Sequence, residues 1–584
     1  MSFKENYKRV VEAIAQQDYS LAIGICRQIL EQFPQQPDTL NLLGACLWKC
    51  GDYKAATEYL QQAIMIKPGE PGFYTNLGNV LREQNLLSEA CEFYQKALDL
   101  DSKESQIYLN IAQISFERGF LHEAVNWCQK GLQFFPEFVE LHKFLGICLL
   151  QQGHADQAIQ LFEHYVKSTR VDSSFYSGYL TSILYTTATE KFLEVQKQWG
   201  ERFEKPPAVR RIHYSPATYP KHSKLRVGYV SPDFWDHAVT RFMLSILQHT
   251  NRIQFEIYCY SNTLKRDATT EQLMQFCPNW RVIKGLSVQE AIRKIREDEI
   301  DILVDLAGHT ADNSLLVFAH KAAPIQVSYL GYPASTGLET IDYKISDIWT
   351  DPPFNQRFYT EKLEYIEGGF LCYKPYSCNS QLTPLPMLRN GFPSFGCFND
   401  LKKISSKMLE LWVQILKAAP TAHFAMKNRS FGCERTKSHY LQYFEQKGIA
   451  PERLHFFGFV EQERFYQFYN NIDLALDSYP YNGTTTTCDA LWMGIPTVTM
   501  QGEMHVSRIG ASLLKQVELG DFIASSPEEY VSIAVQKIQD IPLLLKLKIE
   551  LRAKMLMANL GNPNYFVPKL ESFYERIWQK WLQT

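Results

Sequence analysis

The sequence has few of the features that mark membrane, secreted or metal-dependent proteins. No apolar run reaches the length of a membrane span. The opening stretch, MSFKENYKRVVEAIAQQDYS, contains no apolar signal core. The 13 cysteines are scattered, without a CxxC pair or a His/Cys cluster at metal-ligand spacing. We therefore expect reduced thiols, no membrane partner and a cytoplasmic location.

An excess of charge of one sign is also lacking. Lys and Arg number 60, Asp and Glu number 63, and no run of like charges occurs. Nucleic-acid binding usually requires a basic patch or stripe, so nucleic acid is not expected as a partner. With 45% hydrophobic and 21% charged residues, the composition is that of a globular protein of several domains.

Two common phosphate-binding signatures are absent as well. No GxGxxG follows the first predicted strand of the α/β region, and no GxxxxGK[ST] occurs. The glycines of these motifs allow the backbone to approach a pyrophosphate closely. Their absence disfavours a dinucleotide cofactor and a P-loop ATPase.

What is present begins with a 34-residue period in the first third of the chain. Three small or helix-ending residue types recur in phase, at Ala22, Ala56, Ala90, Ala124 and Ala158, at Gly44, Gly78 and Gly146, and at Pro34, Pro68 and Pro136. This period is typical of tetratricopeptide repeats, and residues 1–170 are predicted to form about five helix pairs with a concave groove. The groove is expected to dock a partner or a substrate, and scaffolding or homodimerisation is the alternative.

Residues 171–222 read as a helical and proline-containing transition. Beyond it, short apolar runs alternate with helical segments, which predicts parallel sheets with helices on both faces. The runs are 225–234, 255–262, 300–310 and 325–333, followed by 392–399, 422–428, 454–459, 472–479 and 497–502. We expect two doubly wound Rossmann-like domains, 223–385 and 386–584, with a ligand cleft between their strand ends.

A run of four threonines, Thr484 to Thr487, follows the turn pair Asn482-Gly483 and leads into a predicted amphipathic helix. A helix N-terminus with free N–H groups suits a phosphate, and threonine hydroxyls add further donors. Asp489, one turn into the helix, is expected to accept hydrogen bonds from these hydroxyls or from a ribose. The alternative is a capping motif with surplus threonines.

Together these stretches resemble the protein O-GlcNAc transferase and SPINDLY family. The matching stretches are LRVGYVSPDFWDHAVTRFM, DILVDLAGHTADN, APIQVSYLGYPASTG, IDYKISD, FGCFNDLKKIS and YNGTTTTCDALWMGIPTVTM. The resemblance implies tetratricopeptide repeats followed by a two-Rossmann, B-type glycosyltransferase, an α plus α/β architecture. It implies transfer of a sugar from a nucleotide diphosphate to Ser or Thr hydroxyls of proteins docked by the repeats. It implies no cofactor and no catalytic metal.

The motif details do not decide which nucleotide sugar is the donor. GTTTTC, AGHTADN and FLCY are similar to the SPINDLY branch, which uses GDP-fucose, whereas the O-GlcNAc transferase branch uses UDP-GlcNAc. Three positions that match uridine-site residues of the latter branch hold Gln462, Phe465 and Phe468 here. Thr484 stands where that branch has a histidine. Both donors are therefore expected equally.

The resemblance also implies roles for two residues near the reacting groups. Lys403 matches the lysine that contacts the donor diphosphate, where a fixed cation would offset charge on the leaving group. Lys402 is the alternative cation and is expected to face solvent. His237 matches a histidine proposed either as a general base or as a positioning group.

The remaining candidates lie at predicted strand ends and helix starts. On the donor side they are Asn399, Asp400 and Arg508, with the threonine run and Asp489, and on the sugar or acceptor side His309, Thr310, Gly331, Tyr332, Pro333 and His505. For His309 and Thr310, a strand-end cap satisfied within the protein is equally expected. Two other functions fit the sequence: a repeat scaffold with an inactive transferase domain, and a transferase acting on a non-protein acceptor.

Overall fold

The computed structural model describes residues 3–16, 18–100, 103–167, 171–205, 211–220, 222–378 and 380–584. The chain divides into two compact units, Met1–Cys148 and Leu149–Thr584. Among the described helices none is both long and apolar enough to cross a membrane.

The first unit consists of helix pairs, as the 34-residue period predicted. Its helices are α1 (Phe3–Ala15), α2 (Tyr19–Gln32), α3 (Pro37–Lys49), α4 (Tyr53–Ile66), α5 (Pro71–Glu83), α6 (Leu87–Asp99), α7 (Ser105–Glu117), α8 (Leu121–Phe134) and the start of α9 (Val139–Gln151). Proline opens both α3 and α5, where its missing N–H costs no helical hydrogen bond.

The recurring small residues are the points where paired helices touch. A Cβ at Gly44 of α3 would lie 2.6 Å from Leu60 of α4, and a Cβ at Gly78 would lie 2.7 Å from the Tyr94 ring. Ala56 of α4 is completely buried. The period therefore records helix packing rather than a ligand site.

The second unit begins with α10 (Ala155–Val166), α11 (Ser173–Ile183) and α12 (Thr189–Phe203). The end of α12 is fastened to the first sheet domain, because the buried Glu204 carboxylate accepts the N–H groups of Glu339 at 3.0 Å and Thr340 at 2.8 Å. The segment that the sequence presented as a transition is thus built into the α/β region.

The first sheet has seven parallel strands in the order β3-β2-β1-β4-β5-β6-β7. They are β1 (Leu225–Ser231), β2 (Phe255–Ser261), β3 (Asn279–Val282), β4 (Ile302–Asp305), β5 (Ile325–Ser328), β6 (Tyr343–Ser346) and β7 (Lys362–Tyr365). Its helices are α13 (Thr240–His249), α14 (Ala268–Phe276), α15 (Val288–Glu297) and α16 (Leu315–Ala319). The order reverses between β1 and β4, the place where doubly wound sheets bind ligands.

The second sheet has six parallel strands in the order β10-β9-β8-β11-β12-β13. They are β8 (Ser394–Cys397), β9 (His423–Lys427), β10 (Leu454–Phe457), β11 (Leu474–Leu476), β12 (Thr497–Met500) and β13 (Ile523–Ala524). Its helices are α17 (Pro386–Asn390), α18 (Ser406–Ala418), α19 (Glu434–Gln446), α20 (Thr485–Trp492), α21 (Ile509–Gln516) and α22 (Pro527–Gln539). Two doubly wound sheets confirm the expected fold class.

Two helices close the chain, α23 (Ile541–Met557) and α24 (Pro563–Leu582). The sequence placed both in the second domain, yet α24 lies against the first sheet domain. The hydroxyl groups of Tyr574 and Tyr229 are 3.2 Å apart, and Arg576 donates to Glu364 at 2.8 Å. The last helix therefore ties the two sheet domains together.

The close helix contact at Gly78 can be tested by adding one methyl group. We expect Gly78→Ala to lower the free energy of unfolding of the repeats by about 1–3 kcal/mol, because the completely buried Tyr94 must move. Gly72→Ala, in the same helix but with no atom within 4 Å of its Cβ, should be neutral or stabilising. Urea unfolding followed by circular dichroism measures both. Equal midpoints for the two variants would show that the contact does not limit packing.

Candidate functional site

The threonine run begins α20, and the start of this helix is left open. Thr484 is the N-cap residue, but its side chain makes no capping hydrogen bond. The first helical hydrogen bond joins the Cys488 N–H to the Thr484 carbonyl at 3.0 Å. The N–H groups of residues 485–487 have no acceptor among the described residues. Three donors therefore point out of the helix start, where the helix dipole favours an anion.

The loop before the threonines is held by a buried carboxylate that the sequence interpretation missed. Asp477 Oδ1 accepts the N–H groups of Gly483 at 2.6 Å and Ser478 at 2.8 Å. Its Oδ2 accepts the Thr499 hydroxyl at 2.7 Å. Burial raises the pKa of Asp477. Asp477 directly follows β11, the strand that precedes this loop, and this position is the sequence signal that could have identified it.

Asn399, expected to contact the donor, supports the threonine run instead. Its Nδ2 donates to Asp477 Oδ1 at 3.0 Å and to Ser478 Oγ at 2.9 Å, and its Oδ1 accepts the Thr486 hydroxyl. The hydrogen-bonding capacity of this amide is thus used within the protein.

Lys403 lies beside the same loop. Its Nζ donates to the Asn482 carbonyl at 2.8 Å and lies 4.3 Å from the centre of the Tyr481 ring. Burial lowers the pKa of Lys403 to about 8. Since an ammonium has three N–H donors, two stay available for a ligand at the start of α20.

The neighbouring Lys402 does not simply face solvent, as the sequence led us to expect. Its side chain is 34% exposed, and its Nζ lies 3.6 Å from Asp400 Oδ2. Its charge also contributes to the low pKa of His237, so it faces the same region as that histidine. Asp400, expected to hold the donor, also accepts a hydrogen bond from Gln151.

Asp489 accepts no hydrogen bond from the threonines. Its Oδ1 accepts Arg241 Nη2 at 3.1 Å and the Tyr373 hydroxyl. Arg241 Nη2 also donates to the Tyr466 hydroxyl at 3.0 Å. Arg241 belongs to α13 of the first sheet domain and Asp489 to α20 of the second, so this buried pair joins the two domains. Asp489 therefore positions α20, and no ribose contact is needed to explain its burial.

His505 and Arg508 join the domains at a second place. His505 Nδ1 donates to Asp351 Oδ2 at 2.6 Å, and both side chains are buried. Arg508 donates through Nε to the Trp349 carbonyl at 3.2 Å and through Nη1 to the Gly502 carbonyl at 2.9 Å. Arg508 is half-buried and keeps further donors, whereas the imidazole of His505 is enclosed.

His237 follows β1 and lies just before α13. Its side chain is 37% exposed, and its Nδ1 accepts the Val239 N–H at 3.3 Å. Burial, together with the charge of Lys402, lowers its pKa to about 4, so the ring is neutral at pH 7. A neutral ring that accepts at Nδ1 carries its proton on Nε2. The half-buried Asp233, 3.7 Å from Nδ1, has its pKa raised to about 6 by burial.

His309 does not line the cleft. Its Nε2–H donates to the Thr336 carbonyl at 2.8 Å, and its Nδ1 accepts the Ser177 hydroxyl at 2.9 Å. Burial lowers the pKa of His309 to about 4. The Thr310 hydroxyl donates to the Ala307 carbonyl at 2.9 Å. For both residues the geometry matches the expected alternative of a strand-end cap satisfied within the protein.

The turn at Gly331, Tyr332 and Pro333 packs tightly against β4. A Cβ at Gly331 would lie 1.8 Å from the Leu306 carbonyl oxygen, so only glycine fits. Tyr332 and Pro333 are buried, and the Tyr332 hydroxyl has no hydrogen-bond partner among the described residues. The turn is thus packed into the first sheet domain, and its contact with a sugar or an acceptor stays a prediction.

Tyr185, between α11 and α12, is a further residue that the sequence interpretation missed. Its ring stacks on Tyr481 with the centroids 4.7 Å apart, and Lys403 lies over that same Tyr481 ring. The segment before the first sheet thus contributes directly to the surroundings of Lys403. No sequence motif marked it, because the contact joins residues far apart in the chain.

The three positions that match uridine-site residues of the O-GlcNAc transferase branch lie after β10. Phe465 and Phe468 are half-buried, and the Phe465 ring lies 5.4 Å from Tyr466 and 6.0 Å from Tyr469. The side chain of Gln462 lies outside the described part of the structure.

In the part of the chain that the structure describes, no group of three or more His, Cys, Asp or Glu residues could hold a metal ion. The positive groups of the site are the α20 N-terminus, Lys403, Lys402 and Arg508.

Known protein families match both parts of the chain. The family described as Glycosyl transferase family 41 matches residues 182–375 and 388–570. Tetratricopeptide repeats match residues 13–75 and 71–104. Every candidate residue from His237 to Arg508 falls within the glycosyl transferase match.

Individual relatives agree with this. A "Probable UDP-N-acetylglucosamine--peptide N-acetylglucosaminyltransferase SPINDLY" of Solanum lycopersicum is 37% identical over 397 residues, which cover 67% of this chain and 42% of that protein. The protein of the same description named SEC, from Arabidopsis thaliana, is 31% identical over 369 residues, 61% of this chain and 37% of its own length. The chain thus spans less than half of these curated relatives.

One solved structure is similar over nearly the whole chain. It is a mutant of the O-GlcNAc transferase of Thermobaculum terrenum, with a TM-score of 0.69 and 28% identity. The match covers 99% of this chain and 98% of that one.

The buried pair between Arg241 and Asp489 can be tested by its stability. Arg241→Met leaves a buried carboxylate without its cation and should cost about 3–5 kcal/mol of unfolding free energy. Arg266→Met, which breaks the exposed pair with Glu271, should leave the free energy of unfolding almost unchanged. Urea unfolding followed by tryptophan fluorescence compares the two. Similar losses would mean that the buried pair does not fasten the domains.

Proposed function

This chain belongs to glycosyl transferase family 41, and from that premise we propose that it transfers a sugar from a nucleotide diphosphate to a hydroxyl group of a protein. The observation that carries the proposal is the open start of α20 beside Lys403. The hydroxyls of Thr486 and Thr487 donate within the protein, to Asn399 and to the Gly483 carbonyl. Free N–H groups of residues 485–487, the hydroxyls of Thr484 and Thr485 and an ammonium lie at the carboxyl ends of β8 and β11. This is the arrangement that a diphosphate requires.

In the proposed reaction, the bond between the sugar and the diphosphate breaks as the oxygen of the acceptor hydroxyl attacks the anomeric carbon, and the proton of that hydroxyl passes to the departing diphosphate or to solvent. Negative charge then grows on the leaving diphosphate. Lys403 and the N-terminus of α20 are fixed before the reaction, so they stabilise this charge without reorganising. These groups supply the positive charge that a metal ion provides in other transferases, and we propose a reaction that needs no metal.

We assign His237 the role of a positioning group. Its neutral ring carries a proton on Nε2 when Nδ1 accepts the Val239 N–H, so the exposed nitrogen donates rather than accepts. A donor at this place can orient a sugar or phosphate oxygen. Of the two roles expected for His237, this favours the positioning group over the general base.

For the donor we propose a uridine or guanosine diphosphate sugar. The names of the similar proteins give UDP-N-acetylglucosamine, and none of those cited above gives GDP-fucose. UDP-GlcNAc is therefore the first donor to test, and the GDP-fucose hypothesis depends on the sequence motifs alone. The tetratricopeptide repeats support a protein acceptor, because helical repeats present an extended binding surface.

Transfer to protein should proceed without added metal. Radiolabelled UDP-GlcNAc and GDP-fucose, each incubated with the enzyme, a cell-extract acceptor mixture and EDTA, should give labelled protein with at least one donor. Label that appears only when Mg²⁺ or Mn²⁺ is restored would contradict the metal-free reaction. Absence of label with both donors under every condition would contradict the proposed transfer.

The contribution of Lys403 should appear in turnover more than in binding. Lys403→Ala is expected to lower kcat about 10²–10³-fold, the scale for removing one preorganised transition-state contact. Nucleotide affinity should fall less, because the diphosphate gains charge as the sugar departs. The control is Lys407→Ala, an exposed lysine on α18. Lys402 is unsuitable as a control because it lies near His237. Near-normal kcat in Lys403→Ala would rule out the assigned role.

A further inference from the structure

One cation in the second sheet domain, Lys427, has no hydrogen-bond acceptor or ion-pair partner among the described residues. Lys427 is the last residue of β9 and is half-buried. Its Nζ lies 4.2 Å from the centre of the Phe465 ring and 5.8 Å from that of Phe468. Among the described residues, no oxygen or nitrogen accepts a hydrogen bond from this ammonium.

The environment of Lys427 is costly for a charge. Burial lowers its pKa to about 8. The charge of Asp489 counteracts this, but Asp489 is already paired with Arg241. The two aromatic rings attract the cation through their faces but accept none of its three N–H groups in a conventional hydrogen bond. An ammonium in this position is expected to meet an acceptor that comes from outside the protein.

Its location connects it to the proposed diphosphate site. The Phe465 ring lies 6.0 Å from the Tyr469 ring, and the Tyr469 hydroxyl donates to the Thr486 carbonyl at 3.3 Å. Two aromatic side chains therefore separate Lys427 from the threonine run. The carboxyl ends of β9 and β8 lie side by side at the edge where α20 begins. A nucleoside attached to a diphosphate at α20 can extend along this edge.

We propose that Lys427 determines the base specificity of the donor by donating a hydrogen bond to a keto oxygen of the base. This inference depends on the proposed function. Guanine and uracil carry such an oxygen, O6 or O4, and lysine is a common partner of guanine O6 and N7. Adenine and cytosine carry an amino group in the corresponding place, whose hydrogens would face the ammonium. Lys427 therefore accepts a donor of either expected kind and excludes adenine and cytosine nucleotides.

The alternative role for Lys427 is purely structural, a cation that holds Phe465 and Phe468 together. The two roles separate on substitution by methionine, which keeps the unbranched stem and removes the charge. A structural loss would weaken all nucleotides alike. A lost base contact would weaken only the nucleotides with a keto base.

The test is calorimetric titration of the full chain with UDP, GDP, CDP and ADP in EDTA. For the wild type we expect UDP or GDP to bind more tightly than CDP and ADP. Lys427→Met should weaken the preferred nucleotide about ten- to hundredfold, the effect of one hydrogen bond to a charged group. CDP and ADP should bind as before or more tightly. Lys427→Arg should keep the preference, and the exposed Lys407→Met should behave as the wild type.

Each other outcome decides against the inference. Equal weakening of all four nucleotides, with an unchanged circular dichroism spectrum, would assign Lys427 to the phosphates or to packing. An unchanged preference in Lys427→Met would place base recognition elsewhere. If Lys427→Met fails to fold, Lys427→Arg decides, and loss of the preference there with the fold intact overturns the inference. If the wild type binds none of the four, the proposed function fails and this inference with it.

Discussion

The cleft depends on the buried pair between Arg241 and Asp489. Both side chains are almost completely inaccessible. The hydroxyls of Tyr373 and Tyr466 accept hydrogen bonds from Arg241, and the Tyr373 hydroxyl donates to Asp489. Burying two charges is costly, and these additional hydrogen bonds help to offset the cost. Because α13 carries Arg241 and follows the His237 segment directly, the pair sets the distance between that segment and the start of α20.

A second set of contacts fixes the opposite side of the cleft. His505 donates to Asp351, and the Ser512 hydroxyl donates to Asp347 at 2.6 Å. With the Arg241 pair, these contacts hold the two sheet domains at two separate places. Groups proposed to contact the donor in one domain are therefore prepositioned relative to groups on the other. Such prepositioning is a large part of what an enzyme contributes to a two-substrate reaction.

Sequence reasoning predicted the repeats and nine of the strands because their signals are local. It missed β3, β6, β7 and β13, which are short, carry polar residues or lie near the sheet edges, so their apolar patterns are weak. It could not predict which side chains contact each other. Asp489 and Arg241 are 248 positions apart, and His309 and Ser177 are 132 apart. A single sequence contains no signal for such pairs. Candidate residues could therefore be identified, but their hydrogen-bond partners could not.

The same contacts now separate the candidates by the hydrogen bonds that they still have to offer. Asn399 and His309 make hydrogen bonds within the protein through both of their polar side-chain atoms, and Asp489 accepts from Arg241 and Tyr373 through Oδ1, so all three support the cleft. The N–H groups at the start of α20, Lys403 and Lys427 keep donors for which the described residues supply no acceptor. All of these free donors carry positive charge or lie at the positive end of a helix dipole. The proposed nucleoside diphosphate would satisfy them together, with anionic oxygens at α20 and Lys403 and a keto oxygen of the base at Lys427.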